Sequence, residues 1–166
     1  MAKYLLPHFP TLDTSTLDEY YDVDIDFNGK KIQIDLNFER KSIDIKRMDK
    51  VKEFIEKLAD YDKENKIYID QDYKDKDCDT VKTYIDYHIE EIEKDDLSHL
   101  IDFNDELTSP ETQLIRKLHL VRMGLYPDSI EDFAVFDYSV DKELTDQLVV
   151  IKTDENGKFD YMTMES

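Results

Sequence analysis

Tryptophan is absent from this chain of 166 residues, cysteine occurs once, glycine three times and proline four times. The single Cys78 excludes an intramolecular disulfide and any cysteine-rich zinc site. Three glycines leave no Gly-rich loop to cradle phosphates, and four prolines leave no Pro-rich linker or low-complexity tract. No internal repeat of fixed period is visible. No apolar run approaches the roughly 20 residues of a transmembrane helix. The N-terminal run Met1-Ala-Lys-Tyr-Leu-Leu-Pro is too short for a signal peptide.

Positive charge is also scarce. Lys and Arg number 22 against 41 Asp and Glu, a net charge of −19. The acidity peaks in residues 44–106, with 21 acidic and 11 basic side chains. Such a surface repels nucleic acid and anionic membranes through their phosphates. It attracts basic proteins and cations, and it favours solubility. With 40% hydrophobic residues the chain can build a core. These features predict one cytoplasmic domain over residues 1–166, with no nucleic-acid or membrane partner. Monomer and homodimer remain equally open.

What is present is clearest at Tyr20–Phe38, YYDVDIDFNGKKIQIDLNF. Tyr21, Val23, Ile25 and Phe27 alternate with Asp22, Asp24 and Asp26; Ile32, Ile34, Leu36 and Phe38 alternate with polar residues. Alternation with period 2 places each apolar set on one strand face. Asn28-Gly29 between the runs suits a type I′ turn, which needs positive φ at both central residues. That turn pairs Phe27 with Lys30, Asp26 with Lys31, Ile25 with Ile32, Val23 with Ile34 and Tyr21 with Leu36. A slip by one residue would bury the three aspartates. The same stretch imitates an EF-hand loop, with Asp24, Asp26, Asn28, Gly29 and Asp35 at the twelfth position. The strand alternation, Lys30 and Lys31, and an Asp where the loop needs a bidentate Glu argue against calcium.

Residues 3–9 suit a short edge strand or an irregular lead-in, and residues 11–19 one helical turn. Arg40–Ile45 reads as a linker or a third short strand. Met48, Val51, Phe54, Ile55, Leu58 and Ala59 recur at helical spacing, with Asp44 or Asp49 as cap. A second helix is expected over 61–74 and a loop over 72–79. Val81, Tyr84, Ile85, His88, Ile89 and Ile92 make the cleanest helix, capped by Asp79 or Thr80. A short helix near 95–102 follows, capped by Asp95 or Asp96. Ser109-Pro110-Glu111 then opens another, which buries Leu114, Ile115 and Leu118. Strands are expected at 119–126, 133–140, 147–153 and 158–164, the last two joined by a hairpin loop at Asp154–Gly157. Strands first, helices in the middle and strands last predict an α+β fold. Its sheet is expected to be antiparallel, joining the N-terminal hairpin to a C-terminal four-strand meander, with the helical segment on one face.

Little catalytic chemistry is in view. His8, His88, His99 and His119 form no metal-binding spacing, and His88 reads as a packed histidine on an apolar helix face. His99 and His119 could converge if the helices cover the meander. Negative neighbours oppose thiolate formation at Cys78. No catalytic residue, metal ligand or cofactor is predicted. Tyr84, Tyr138 and Tyr161 read as core residues with hydroxyls at the surface. Tyrosines among carboxylates suit a basic partner, with aromatic anchors for contact and carboxylates for steering. The partner-binding surface predicted on this basis is Tyr68, Asp70, Asp72, Tyr73, Asp75, Asp77, Glu90 and Glu91, with the Asp22-Asp24-Asp26 edge second.

The hairpin, the segment SPETQLIRKLHLVRMGLYPDS (109–129) and the end LVVIKTDENGKFDYMTMES (148–166) together resemble an uncharacterised bacterial family, the domain of unknown function 2004. The resemblance covers nearly the whole chain. It implies no known activity and transfers no site residue. Small acidic α+β families of this kind often include cytoplasmic immunity proteins against basic toxins. The expected function is therefore a non-enzymatic binder of a basic protein such as a toxin. A carboxylate-rich, divalent-metal-dependent hydrolase and an assembly module that forms homo-oligomers are the alternatives.

Overall fold

A computed structural model describes residues 2–166, and Met1 of the N-terminal run lies outside them. β1 (Lys3–Tyr4) and β2 (Leu12–Asp13) form a small antiparallel pair of their own. Residues 11–19 thus contribute a strand and turns where a helical turn was expected. Leu12 and Leu17 are buried, and the backbone N–H of Leu17 bonds to the Lys41 carbonyl, so tertiary contacts set this segment's conformation. β3 (Tyr20–Phe27) and β4 (Lys30–Asn37) form the predicted hairpin in the predicted register. Asn28 and Gly29 have φ of 51° and 79°, as the turn requires.

The helical middle follows. In α1 (Ile45–Glu56) Asp44 caps the N-terminus, its carboxylate accepting from Lys46 N at 2.8 Å. The chain between the hairpin and α1 is a linker without strand pairing. α2 (Leu58–Lys74) starts directly after α1 and absorbs the first residues of the expected 72–79 loop. α3 (Thr80–Glu91) begins at Asp79, whose side chain makes no capping bond. The carboxylate of Asp72, on α2, accepts from Val81 N instead. α4 (Lys94–Leu97) is one turn and stops short of the expected 95–102, and its cap is Glu93. α5 (Pro110–Ile115) has Ser109 as N-cap and Pro110 in its first turn, as predicted. No helix among the described residues is long and apolar enough to cross a membrane.

β5 (His119–Leu125), β6 (Ala134–Ser139), β7 (Leu148–Thr153) and β8 (Phe159–Glu165) complete a six-stranded sheet in the order β3-β4-β5-β6-β7-β8. The meander is antiparallel throughout. The junction corrects the expectation: β4 and β5 run parallel, so the sheet is mixed. A parallel neighbour needs a long crossover, and α1 to α5 supply it.

One face of the sheet is the core. Ile32, Ile34, Leu36, Met123, Leu125, Phe136, Tyr138, Val149 and Ile151 are buried there in one cluster with Met48, Val51, Phe54, Tyr84, Ile85 and Leu114 from the helices. Tyr61 stacks on Phe54 with centroids 4.6 Å apart and lies 6.0 Å from Phe136. Gly157 lies against the Tyr61 ring at φ 78°, leaving no room for a Cβ and fixing the β7–β8 turn. The tyrosine expectation needs revision. Tyr84 and Tyr138 are fully buried with their hydroxyls inside, on Val140 N and Asp62, while Tyr161 is 41% exposed on the edge strand. Among the described residues no helix covers the opposite face of the sheet.

Candidate functional site

The uncovered face starts from one irregularity in β5. Leu120 pairs with Tyr138 and Arg122 with Asp137, so β5 carries an extra residue between them. Strict alternation would point Leu120 and Arg122 to the same side, the core. The bulge at Val121 turns Arg122 outward, the re-aiming that bulges provide. Arg122 then lies across the middle of the open face. Its Nε donates to Asp35 Oδ2 at 2.6 Å and its Nη2 to Asp35 Oδ1 at 2.9 Å. Its Nη1 donates to Asp137 Oδ2 at 3.1 Å, and Nη2 also reaches the Tyr126 hydroxyl. Asn37 Nδ2 gives Asp35 a further bond at 2.7 Å. The fork-on-carboxylate geometry joins β4, β5 and β6 on their outer side. Burial pushes the Asp137 carboxyl above its ordinary value, and the Arg122 guanidinium pulls against it.

Gly124 makes this arrangement possible. It is next on the same face of β5, and the guanidinium lies over it; a Cβ there would collide with Arg122 Nη2. Asp35 is also the residue that imitated the last calcium ligand. Its side chain is 1% exposed and both its oxygens are held by Arg122. Asp22, Asp24 and Asp26 stand exposed on the neighbouring edge strand.

Beside this ion pair lies a cleft of about 540 Å³. Val135, Leu148 and Val150 are its apolar part, and Tyr126 flanks Arg122. Glu39, Asp128, Asp132, Asp137 and Glu165 are its carboxylates; among the described residues Arg122 and Lys152 are its two cations. Both cations are engaged, Arg122 as above and Lys152 over the Tyr161 ring at 5.2 Å. The loops that carry the acids are tied down. Arg47 donates to the carbonyls of Pro127 and Ser129 at 2.9 and 2.6 Å and pairs with Glu155. Asp128 accepts from Glu39 N at 2.7 Å. The cleft therefore presents a fixed negative potential over a small apolar patch.

The predicted partner surface lies elsewhere, on the helices. Tyr68 and Tyr73 are half-buried against the core, Tyr68 packed on Phe159 in a tilted pair with centroids 4.6 Å apart. Asp72 caps α3 and Asp75 accepts from Asp77 N in a turn. Asp70, Asp77, Glu90 and Glu91 are exposed. Half of the set thus has a structural task, and half remains free acidic surface.

His88 is buried, as expected of a packed histidine. Its Nδ1 is 2.6 Å from the Tyr84 carbonyl, which can only accept, so Nδ1 donates and Nε2 accepts from the Thr145 hydroxyl at 2.9 Å. Burial lowers its pKa, against the pull of the Tyr84 carbonyl. His119 is lowered by burial too. It does not join His99 in one site: the two line different, neighbouring hollows, and His119 Nδ1 is bonded to the Lys117 carbonyl. A histidine held neutral in the fold but titrating near pH 6.5 when unfolded binds more protons unfolded, so stability is lost as pH falls below about 6.5. Urea midpoints at about pH 7.5 and 5.5 are expected to show this loss, and His88→Gln, which keeps one donor and one acceptor, to reduce it.

Cys78 is not activated: partial burial and the carboxylates of Asp75 and Asp72 push its thiol up. No group of three or more His, Cys, Asp or Glu among the described residues is arranged to hold a metal ion. Sequence reasoning missed Arg122, Gly124, Asp137 and Arg47. A signal existed for two of them: Arg122 and Asp137 are lone charges inside otherwise apolar strands. No protein-family model matches this chain, and comparison with curated proteins and with solved structures finds no match either.

Proposed function

We propose that the chain is a non-enzymatic binding protein that takes a basic protein partner on the open face of its sheet, centred on the Arg122 cleft. The observation that carries this is the imbalance in the cleft: five carboxylates stand against two cations, and both cations are already committed within the protein. An arriving lysine or arginine meets Asp128, Asp132 and Glu165, none of which forms an ion pair among the described residues, while its aliphatic stem finds Leu148 and Val150. Contact area from apolar and aromatic side chains inside a charged rim is the anatomy of a protein-binding hot spot. The net charge of −19 steers a cationic partner in from a distance. Cytoplasmic immunity proteins against basic toxins are the class this fits; the family resemblance itself supplies no activity.

Calorimetric titration with a hexa-arginine peptide tests the reading. The triple variant Asp128→Asn, Asp132→Asn, Glu165→Gln is expected to weaken binding at least about tenfold. Each amide keeps an oxygen acceptor, so the Glu39 N–H stays satisfied. The helical variant Asp70→Asn, Glu90→Gln, Glu91→Gln is expected to change it little. Salt weakens the wild type more steeply than the cleft variant. The opposite ranking of the two variants moves the site to the helical surface; equal, small effects leave only diffuse attraction.

A further inference from the structure

On the opposite margin of the molecule the charge reverses. A groove of about 610 Å³ runs between the β3–β4 turn, α2, the segment 116–120 and the loop 140–143. Six cationic side chains line it, Lys30, Lys31, Lys66, Arg116, Lys117 and Lys142, against three carboxylates. Only Lys66 is spent, on Asp62 at 3.2 Å. The other five make no ion pair among the described residues. Asp62 is occupied by the Tyr138 hydroxyl at 2.8 Å as well, and Asp141 by Glu143 N at 2.8 Å. His119 lies in the same groove, in the field of Lys30 and Lys142. In a chain with nearly twice as many acids as bases, five unpaired cations around one hollow form an uncommon concentration.

We propose that this groove binds a compact organic phosphate, with its anionic group among Lys30, Lys117, Lys142 and Arg116. Its apolar part rests on Phe27, Leu100 and Leu118, which share the lining. The volume lies within the range of small-molecule sites, and an apolar floor with a few convergent polar groups is their usual build. Size is restricted by electrostatics. An extended polyanion such as nucleic acid would have to cross the acidic surface around the groove, including Asp22, Asp24 and Asp26, whereas a compact anion meets six cations against three carboxylates, of which Asp62 and Asp141 are already bonded within the protein. Lysine ammonium groups and the Arg116 fork are the donors that phosphate oxygens require. The site is distinct from the acidic cleft, so either stands if the other fails.

Calorimetry with ATP and with pyrophosphate on the full chain tests it. Binding tighter than millimolar is expected for ATP, and weaker binding for pyrophosphate, which lacks the apolar contact. Lys117→Glu with Lys142→Glu is expected to weaken ATP binding at least about tenfold. Both residues are exposed, so an unchanged melting temperature certifies the fold. A second readout is the His119 ring resonance: an anion that neutralises Lys30 and Lys142 raises the pH at which it titrates. No ATP binding tighter than about 1 mM, equal affinity of wild type and variant, or a hexa-glutamate peptide that binds where ATP does not would each overturn the proposal.

Discussion

Arg122→Met is expected to lose about 3–5 kcal/mol of stability, because it strands the Asp35 carboxylate in a buried position. Asp35 is 0% exposed and two of its three side-chain hydrogen bonds come from Arg122. A quarter of the Arg122 side chain remains exposed, which places the loss toward the lower end. The double variant Asp35→Leu, Arg122→Met separates the cost of orphaning a charge from the worth of the pair. Replacing both partners by apolar groups often costs nothing, but Asp137, 7% exposed, still loses its Arg122 partner, so only part of the loss is expected to return. Gly124→Ala reaches the same end from the backbone: the added methyl evicts the guanidinium, which cannot move aside without leaving Asp35. Urea denaturation at constant m-value reads all three.

Phe54→Ala is expected to cost about 3–5 kcal/mol for a different reason, the cavity it opens. Phe54 is 1% exposed, stacked on Tyr61 of α2 and 5.0 Å from Phe133 ahead of β6. It is where α1, α2 and the sheet meet. For a chain of this length the loss lowers the melting temperature by roughly 10 °C. Tyr61 also braces Gly157, so the β7–β8 turn is expected to loosen with it, visible as faster amide exchange at Asn156 and Lys158. Phe54→Leu, which keeps most of the volume, is expected to lose much less.

These two sites differ in how far the sequence announces them. Phe54 belongs to a helical apolar stripe, and its burial follows from periodicity. The hairpin register follows from Asn28-Gly29 and alternation, which agree with one another. Such signals lie within a dozen residues. The parallel β4–β5 junction does not, since it depends on how five helices pack before the chain returns. Asp35 looks like any other polar residue on an alternating strand. Its meaning comes from Arg122, 87 positions later, and from a bulge that no local pattern marks. The Tyr68–Asp77 and Glu90-Glu91 surface was legible as acid and tyrosine. That Asp72 caps a helix and Tyr68 packs on Phe159 was not, because both partners are remote in sequence or in another element. Lone charges in LVRMGL and AVFDYS were the one visible hint of the cleft.

On the proposed function the open sheet face, and not the helical face, receives the basic partner. Amide chemical-shift mapping of the hexa-arginine complex tests it most directly. The largest shifts are predicted at Tyr126, Asp128, Asp132, Val135, Val150 and Lys152, around the Arg122 cleft. Shifts centred instead on Asp70, Asp77, Glu90 and Glu91 would contradict it.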